Sequence, residues 1–322
     1  MKFNMCLFSL AIALASSSAS FAAPLYSQDF NVNDTANWTV NGSGIANSDF
    51  VADFFYDYSA IGVPSAPNGT GTRGLKMTAN NSGAVFSGFT TSPTGQSFSG
   101  NYSVSFDIWQ NYVGPLGPGG SGTTQFSQYG IGTAGTATQW IGSASKDSVS
   151  FGTTLDGESA ADFRAYSSAA NTSYASGNAV YQAPAGAVNN SAAYYAVYTA
   201  QSAPAAQLGL FAGQTGSTNL GETSFKWRRV TIDVSGGFAS WSIDGLPLAK
   251  VDLSTVTLGG GNILFGHSDT NGTVSADANR VALNVTLIDN ISVEAIPEPA
   301  SIALVALGMV GFGLSRRGRA AA

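Results

Sequence analysis

Two stretches of this chain alternate apolar and polar residues with a period of two, and that pattern restricts the fold more than any other feature. In YSVSFDIW, Tyr102, Val104, Phe106 and Ile108 fall on one side of an extended chain, and Ser103, Ser105, Asp107 and Trp109 on the other. In WRRVTIDVSGGFASWSIDG, Val230, Ile232 and Val234 alternate with Arg229, Thr231 and Asp233, and Ala239, Trp241 and Ile243 share a face after Ser235-Gly236-Gly237. Successive side chains of a strand point to opposite faces, so this is the signature of half-buried β-strands. Ser235-Gly236-Gly237 and Asp244-Gly245 are turn sequences, which makes two consecutive hairpins. No apolar stripe of helical period appears in residues 23–296, where Gly, Ser, Thr, Asn and Ala dominate and charges are sparse. The expected class is all-β.

The positions Trp227, Gly236-Gly237 and Asp244-Gly245, with the long segment VALNVTLIDNISV around Ile288-Asp289-Asn290 as a closing strand, resemble laminin-G-like, concanavalin-type domains. The resemblance covers residues 225–293 and implies a jelly-roll β-sandwich. DTANWTVNGSG is similar to the first strand of related exported bacterial proteins. Residues 114–206 are richer in Gly, Ser, Ala and Tyr, yet QFSQYGIGT, DSVSFGTTL and AYYAVYTA keep strand-like spacing of aromatic and β-branched residues. Residues 23–296 are therefore expected to form one β-sandwich domain with long loops.

Both ends read as targeting sequences. Lys2, the apolar stretch from Met5 to Ala15, and Ser20 and Ala22 at a small-residue site describe a secretory signal peptide, 1–22, cleaved after Ala22. At the other end Pro297-Glu298-Pro299 precedes an uncharged segment, 300–314, expected as a short hydrophobic helix. At helical rise it covers about 22 Å against a hydrocarbon core of roughly 30 Å. Arg316, Arg317 and Arg319 follow as a cationic stop. This ordered triplet, 297–322, resembles the PEP-CTERM sorting tail of exosortase-bearing Gram-negative bacteria. The resemblance implies processing near the tripeptide by an exosortase-type membrane enzyme, after transient residence in the inner membrane.

Composition excludes several chemistries. The exported body has nine basic against eighteen acidic residues, so no basic stripe is available for nucleic acid. The only cysteine, Cys6, lies in the leader, and the only histidine is His267, which rules out multi-histidine metal sites and disulfides in the mature chain. Gly130, Gly132 and Gly135 match a dinucleotide-binding spacing, but no helix is expected after them, so they read as a loop. Trp109 and Trp227, on the more polar faces of their strands, are the candidate glycan contacts, because an aromatic face offers apolar contact to a sugar ring.

In the closing strand Val281, Leu283, Val285, Leu287, Ile291 and Val293 share parity, which places Asp289 on an apolar face unless a bulge intervenes. A carboxylate there is paired, protonated or bound to a cation. With Asp269, Asn271 and Asp277 it makes a candidate structural Ca²⁺ site, although the closing Glu of an EF-hand loop is absent. The expected function is that of a cell-surface or extracellular-matrix (biofilm) protein, structural or exopolysaccharide-binding, without a catalytic site. The alternative is a carbohydrate-active enzyme of concanavalin-like fold using Asp156, Glu158 or His267. If the tail is processed near the tripeptide, intact-mass measurement of protein recovered from its native surface finds a chain without Arg316, Arg317 and Arg319. Arg319 retained in the mature pool identifies a plain membrane anchor.

Overall fold

The computed structural model describes residues 23–42, 49–82, 86–114, 124–143, 146–156, 160–269 and 276–297. The expected leader, 1–22, and the expected helix, 300–314, lie outside them. In chain order the strands are β1 (Tyr26–Gln28), β2 (Trp38–Gly42), β3 (Phe50–Asp57), β4 (Arg73–Ala79), β5 (Gly88–Pro93), β6 (Tyr102–Asn111), β7 (Gln125–Thr133), β8 (Val149–Thr154), β9 (Phe163–Tyr166), β10 (Arg228–Ser235), β11 (Phe238–Ile243), β12 (Leu246–Asp252), β13 (Asn262–Asp269) and β14 (Val285–Ala295). Two short helices, α1 (Ala205–Leu210) and α2 (Arg280–Leu283), interrupt them.

The strands form two antiparallel sheets packed as a sandwich, the jelly-roll class expected from the sequence. The larger runs β12-β11-β10-β6-β14-β4-β3, with β1 also pairing β14, and the smaller runs β2-β5-β13-β7-β8-β9. The alternating stretches become β6, β10 and β11 in the faces assigned to them. Tyr102, Val104, Phe106, Ile108, Val230, Ile232, Val234, Ala239, Trp241 and Ile243 all enter the core between the sheets. The two hairpin turns are built on left-handed backbone: φ is 59° and 82° at Gly236 and Gly237, and 49° and 80° at Asp244 and Gly245. That geometry matches the twist of two-residue hairpins and favours glycine and aspartate.

Aromatic contacts fasten one sheet to the other. Phe106 of β6 meets Phe265 of β13 edge-on at 5.0 Å, and Trp241 of β11 stacks on Phe151 of β8 at 5.2 Å. Gly130 of β7 faces β8 so closely that an added Cβ would lie 2.3 Å from the Val149 carbonyl oxygen. Gly130 and Gly132 therefore belong to a strand, with Gly135 beyond its end, and no helix follows among the described residues of the connection to β8.

The structure corrects three details of the sequence reading. The segment DTANWTVNGSG supplies the second strand, because Tyr26–Gln28 already pairs with β14 as the first. AYYAVYTA is not extended: its start is a 3-10 turn, Ala193–Tyr195, and Tyr195 and Tyr198 at a three-residue spacing reach one aromatic cluster. Ring burial there outweighs strand propensity, with Phe163 and Tyr195 only 4.0 Å apart. The closing strand begins at Val285, since Arg280–Leu283 is helical and leaves Val281 exposed.

Trp241 is buried among Phe151, Tyr129 and Phe163. Trp241→Ala is expected to cost about 3–5 kcal/mol by loss of transfer energy and creation of a cavity, read as a lower urea midpoint.

Candidate functional site

The larger sheet has a second apolar layer on the face turned away from the sandwich core. Trp109 from β6 and Val285 and Leu287 from β14 start it, and Tyr58, Ile61, Val63, Ala66, Phe225 and Trp227 from long connections cover it. Trp109 therefore lies opposite to Ile108 in face, as alternation requires. Trp227 reaches it from just before β10, and the two indole centroids stand 5.8 Å apart. Both candidate glycan contacts thus come together.

They line a groove of about 440 Å³ whose walls include Pro64, Pro67, Pro204, Phe225 and Lys226. The rings are mostly covered, Trp109 to 2% exposure and Trp227 to 8%. Their N–H groups are engaged internally. Trp109 Nε1 donates to Asn111 Oδ1 at 3.2 Å and Trp227 Nε1 to the Pro64 carbonyl at 2.7 Å. What the tryptophans offer a ligand is apolar contact, with Lys226, Ser65 and Ser202 as polar groups at the rim.

The groove's lid, residues 58–72, is pinned to the sheet by two buried carboxylates that sit directly opposite each other, Asp107 on β6 and Asp289 on β14. Asp289 Oδ2 accepts from the Tyr58 hydroxyl at 3.0 Å and Oδ1 from the Asn290 amide at 2.7 Å. Asp107 accepts from the Asn68 side chain at 2.7 Å, the Asn290 side chain at 2.8 Å and Arg229 Nη1 at 3.2 Å. Arg229 also donates to Ser105 Oγ at 2.6 Å and the Asn290 carbonyl at 3.1 Å. A buried charge holds only when paired and hydrogen-bonded, as Asp107 is. Asp289 lacks a cation of its own: burial, together with neighbouring Asp107 and Asp29, pushes its carboxyl up to about 7, against the pull of its two donors.

The bulge allowed for in the sequence is present. The register shifts between Asp289 and Ser292, with Asn290 at φ 50°. Asp289 shares the outer layer with Val285 and Leu287, whereas Ile291 and Val293 enter the main core. A second, polar pocket of about 370 Å³ is lined by Gln28, Asp29, Asn68, Arg229, Asn290 and Ser292.

Of the residues grouped as a candidate Ca²⁺ site, the described ones, Asp269, Asp277 and Asp289, sit on separate elements. Asp269 ends β13 in the smaller sheet, bonded by Asn80 at 2.7 Å and by Thr124; Asp277 caps the turn before α2 by accepting from the Asn279 amide; Asn271 lies outside the described residues. Both oxygens of Asp289 and of Asp269 accept from hydrogen-bond donors. Among the described residues no group of three or more His, Cys, Asp or Glu is placed to hold a metal ion.

His267 is fully buried between the sheets. Gln125 Nε2 donates to the Ala79 carbonyl, which leaves Oε1 to accept from His267 Nε2 at 2.6 Å. Nδ1 is then bare and accepts from Thr286 at 2.8 Å, and burial pulls the imidazole down to about 3. It is a neutral link in an internal chain. Asp156 is buried near Glu222, whose carboxyl is pushed up to about 7 by burial and, secondarily, by Asp156 and Asp162. Glu222 accepts from Asn190 and Asn219, which ties its loop together. Glu158 lies outside the described residues.

The sequence reading missed Tyr58, Asn68, Arg229 and Glu222. Arg229 was legible in part, because the alternation puts Asp107 and Arg229 on the same outer face; the pairing that sets them opposite each other is tertiary.

Residues 295–317 match the model of the PEP-CTERM protein-sorting motif. The chain therefore carries a C-terminal sorting signal of the kind read from Pro297-Glu298-Pro299 and the arginine cluster. No curated protein matches it. Solved structures similar to it include a Bacillus subtilis protein of unknown function with a galectin-like fold, at 11% identity and TM-score 0.46, covering 85% of this chain and 97% of that one. A glycoside hydrolase family 16 endo-glucanase from Bacteroides ovatus, in complex with G4G3G-2F-DNP, is 15% identical at TM-score 0.43, covering 84% and 99%. The exoplasmic/lumenal domain of VIP36, in a Ca²⁺/Man-bound form, is 9% identical at TM-score 0.40, covering 81% and 84%. Among the described residues no helix is long and apolar enough to cross a membrane.

Asp289 and His267 give opposite pH signatures. The Asp289 carboxyl rises from 3.8 to about 7 on folding, so its contribution is complete below the unfolded value and is lost as pH rises through about 7. The His267 contribution is complete above 6.5 and is lost as pH falls toward about 3. Comparing wild type with Asp289→Asn isolates the first: the melting-temperature gap between them is expected to narrow as pH rises from about 4 to about 8. A gap that stays constant would mean an ordinary carboxylate at Asp289.

Proposed function

We propose that this protein is an exported cell-surface or extracellular-matrix component, sorted by an exosortase-type system, that holds polysaccharide chains in the groove beside Trp109 and Trp227. The observation carrying this reading is the convergence of those two rings, from separate strands, on one apolar groove with a polar rim. Pyranose rings present C–H faces that pack on aromatic carbon while their hydroxyls stay at the rim. The sorting motif supports delivery to the outer surface.

The alternative, a carbohydrate-active enzyme, has less support. A glycosidase needs two carboxyl groups reaching the bond from opposite sides. Asp107, Asp289 and Glu222 are each at most 3% exposed and accept from internal donors. None of them lines the aromatic groove.

A glycan array followed by calorimetry on the best ligand tests the reading. Trp227→Phe keeps an aromatic filler but loses the indole edge, and is expected to weaken binding by about 1 kcal/mol, roughly fivefold. Lys250→Ala, in a separate depression beside Asp233 and Gln182, is expected to leave it unchanged. Equal affinity of wild type and Trp227→Phe would remove the groove as the binding site, and glycan fragments of shorter length after incubation would favour the enzyme.

A further inference from the structure

The two chain ends leave the sandwich at one spot. β1 pairs with the last part of β14, Tyr26 opposite Val293, and the Leu25 amide donates to the Val293 carbonyl at 2.7 Å. Ala23 is two residues before that bond and Ile296 three residues after it, each within roughly 10 Å along an extended chain. The Ile296 amide donates to the Asn101 carbonyl at 2.9 Å, so the ordered body continues to the doorstep of the sorting tripeptide. Only Pro297, Glu298 and Pro299 separate it from the uncharged segment 300–314, a tether of about 10 Å at full extension. The polar layer of a bilayer leaflet is itself about 5–7 Å thick.

With so short a tether the body has little freedom of height above a membrane that holds the tail, and the end it turns to the lipid is fixed by where β14 stops. That end includes the connection 94–101, the turn 235–237 and the connection 253–261: Ala295 and Val234 both pair with Tyr102, the Phe98 amide bonds to the Gly261 carbonyl and the Leu253 amide to the Gly237 carbonyl. The sequences TGQSFSGN of 94–101 and SGG of 235–237 carry no charge. Asp252, next to the turn 235–237, keeps its charge, its carboxyl held below the usual range by the Ser254 hydroxyl and amide, and Asp147 lies against Gly259 in the neighbouring connection. A body with twice as many acidic as basic residues is repelled by anionic headgroups, and segments 94–101 and 235–237 add nothing to that repulsion.

The groove lies far from this end. Trp109 is opposite Leu287, eight residues before Ala295, about 25 Å away at the rise of a strand. Farther still is α1, whose Gln207 bonds to Asn111 opposite Val285, roughly 30 Å from Ala295.

We propose that the end of the sandwich where β1 begins and β14 stops is a lipid-facing surface: while the tail is inserted, segments 94–101 and 235–237 rest on phospholipid headgroups, and the aromatic groove and α1 face away from the bilayer. This rests on reading 300–314 as a membrane segment.

The mature chain has no cysteine, which allows single-site labelling without background. Ser99→Cys and Leu208→Cys, both at exposed positions, are each labelled with a fluorophore in the chain 23–322 and reconstituted with vesicles of phosphatidylethanolamine and phosphatidylglycerol carrying a headgroup quencher. Several-fold stronger quenching at position 99 than at 208, with co-flotation lost when the chain ends at Ile296, is the expected result. Co-flotation with equal quenching, or with stronger quenching at 208, overturns the orientation and leaves the tail as an anchor. Absence of co-flotation in the full chain removes the membrane segment and the lipid-facing surface with it. Both labelled forms must melt as the wild type does; Thr94→Cys and Leu210→Cys provide a second pair at the same two ends.

Discussion

The bulge in β14 after Asp289 is the feature on which the rest of the larger sheet turns. Before it, β14 pairs with β4 through Thr286–Ile288; after it, with β1 through Ile291–Val293. A bulge adds a residue to one strand and reverses the facing of everything beyond it. Val285 and Leu287 therefore serve the outer apolar layer while Ile291 and Val293 serve the main core. Asn290, at φ 50°, is a residue type that tolerates left-handed backbone, and its side chain and carbonyl both bond to the Asp107–Arg229 pair beside it.

That arrangement explains why carboxylates are kept beneath an apolar cover. Asp107 is compensated by Arg229 directly across the β6–β10 pair and by two asparagines. Asp289 is compensated by hydrogen bonds alone, and its raised carboxyl follows. Through Tyr58 and Asn68 these two acids fix the loop that supplies Pro64 and Pro67 to the groove. Tyr58 also meets Trp227 edge-on at 5.2 Å, so polar pinning and aromatic packing act on one loop. The groove is thereby built on the rigid sheet, with loops contributing only its walls.

The sorting motif and the fold bear on each other through geometry. The motif starts at the last residue of β14, with no linker between. The core sheet itself carries the tail, and β1 pairs with β14 beside it.

Much of the fold was legible because it is local. Period-two alternation marked β6, β10 and β11 and their faces, glycine and aspartate marked the hairpin turns, and the ordered tripeptide, apolar segment and arginines marked the tail. Trp109 and Trp227 were legible as outer-face residues for the same reason. Their meeting was not, since it depends on strand order and on two connections folding over the sheet. The fate of the acids also lay beyond the sequence: whether Asp289 sits among aliphatics, a cation or hydrogen-bond donors is set by Tyr58, which is 231 residues away along the chain. AYYAVYTA and the start of VALNVTLIDNISV misled because strand propensity describes how a side chain fits a half-buried sheet, and these segments found burial elsewhere. Sequence alone determined the class of fold, the turns, the absence of disulfides and the sorting tail, all carried by neighbouring residues. Tertiary structure decided the register at the bulge, the pairing of Asp107 with Arg229, the aromatic groove and the common exit of both chain ends, because each requires contacts between segments far apart in the chain.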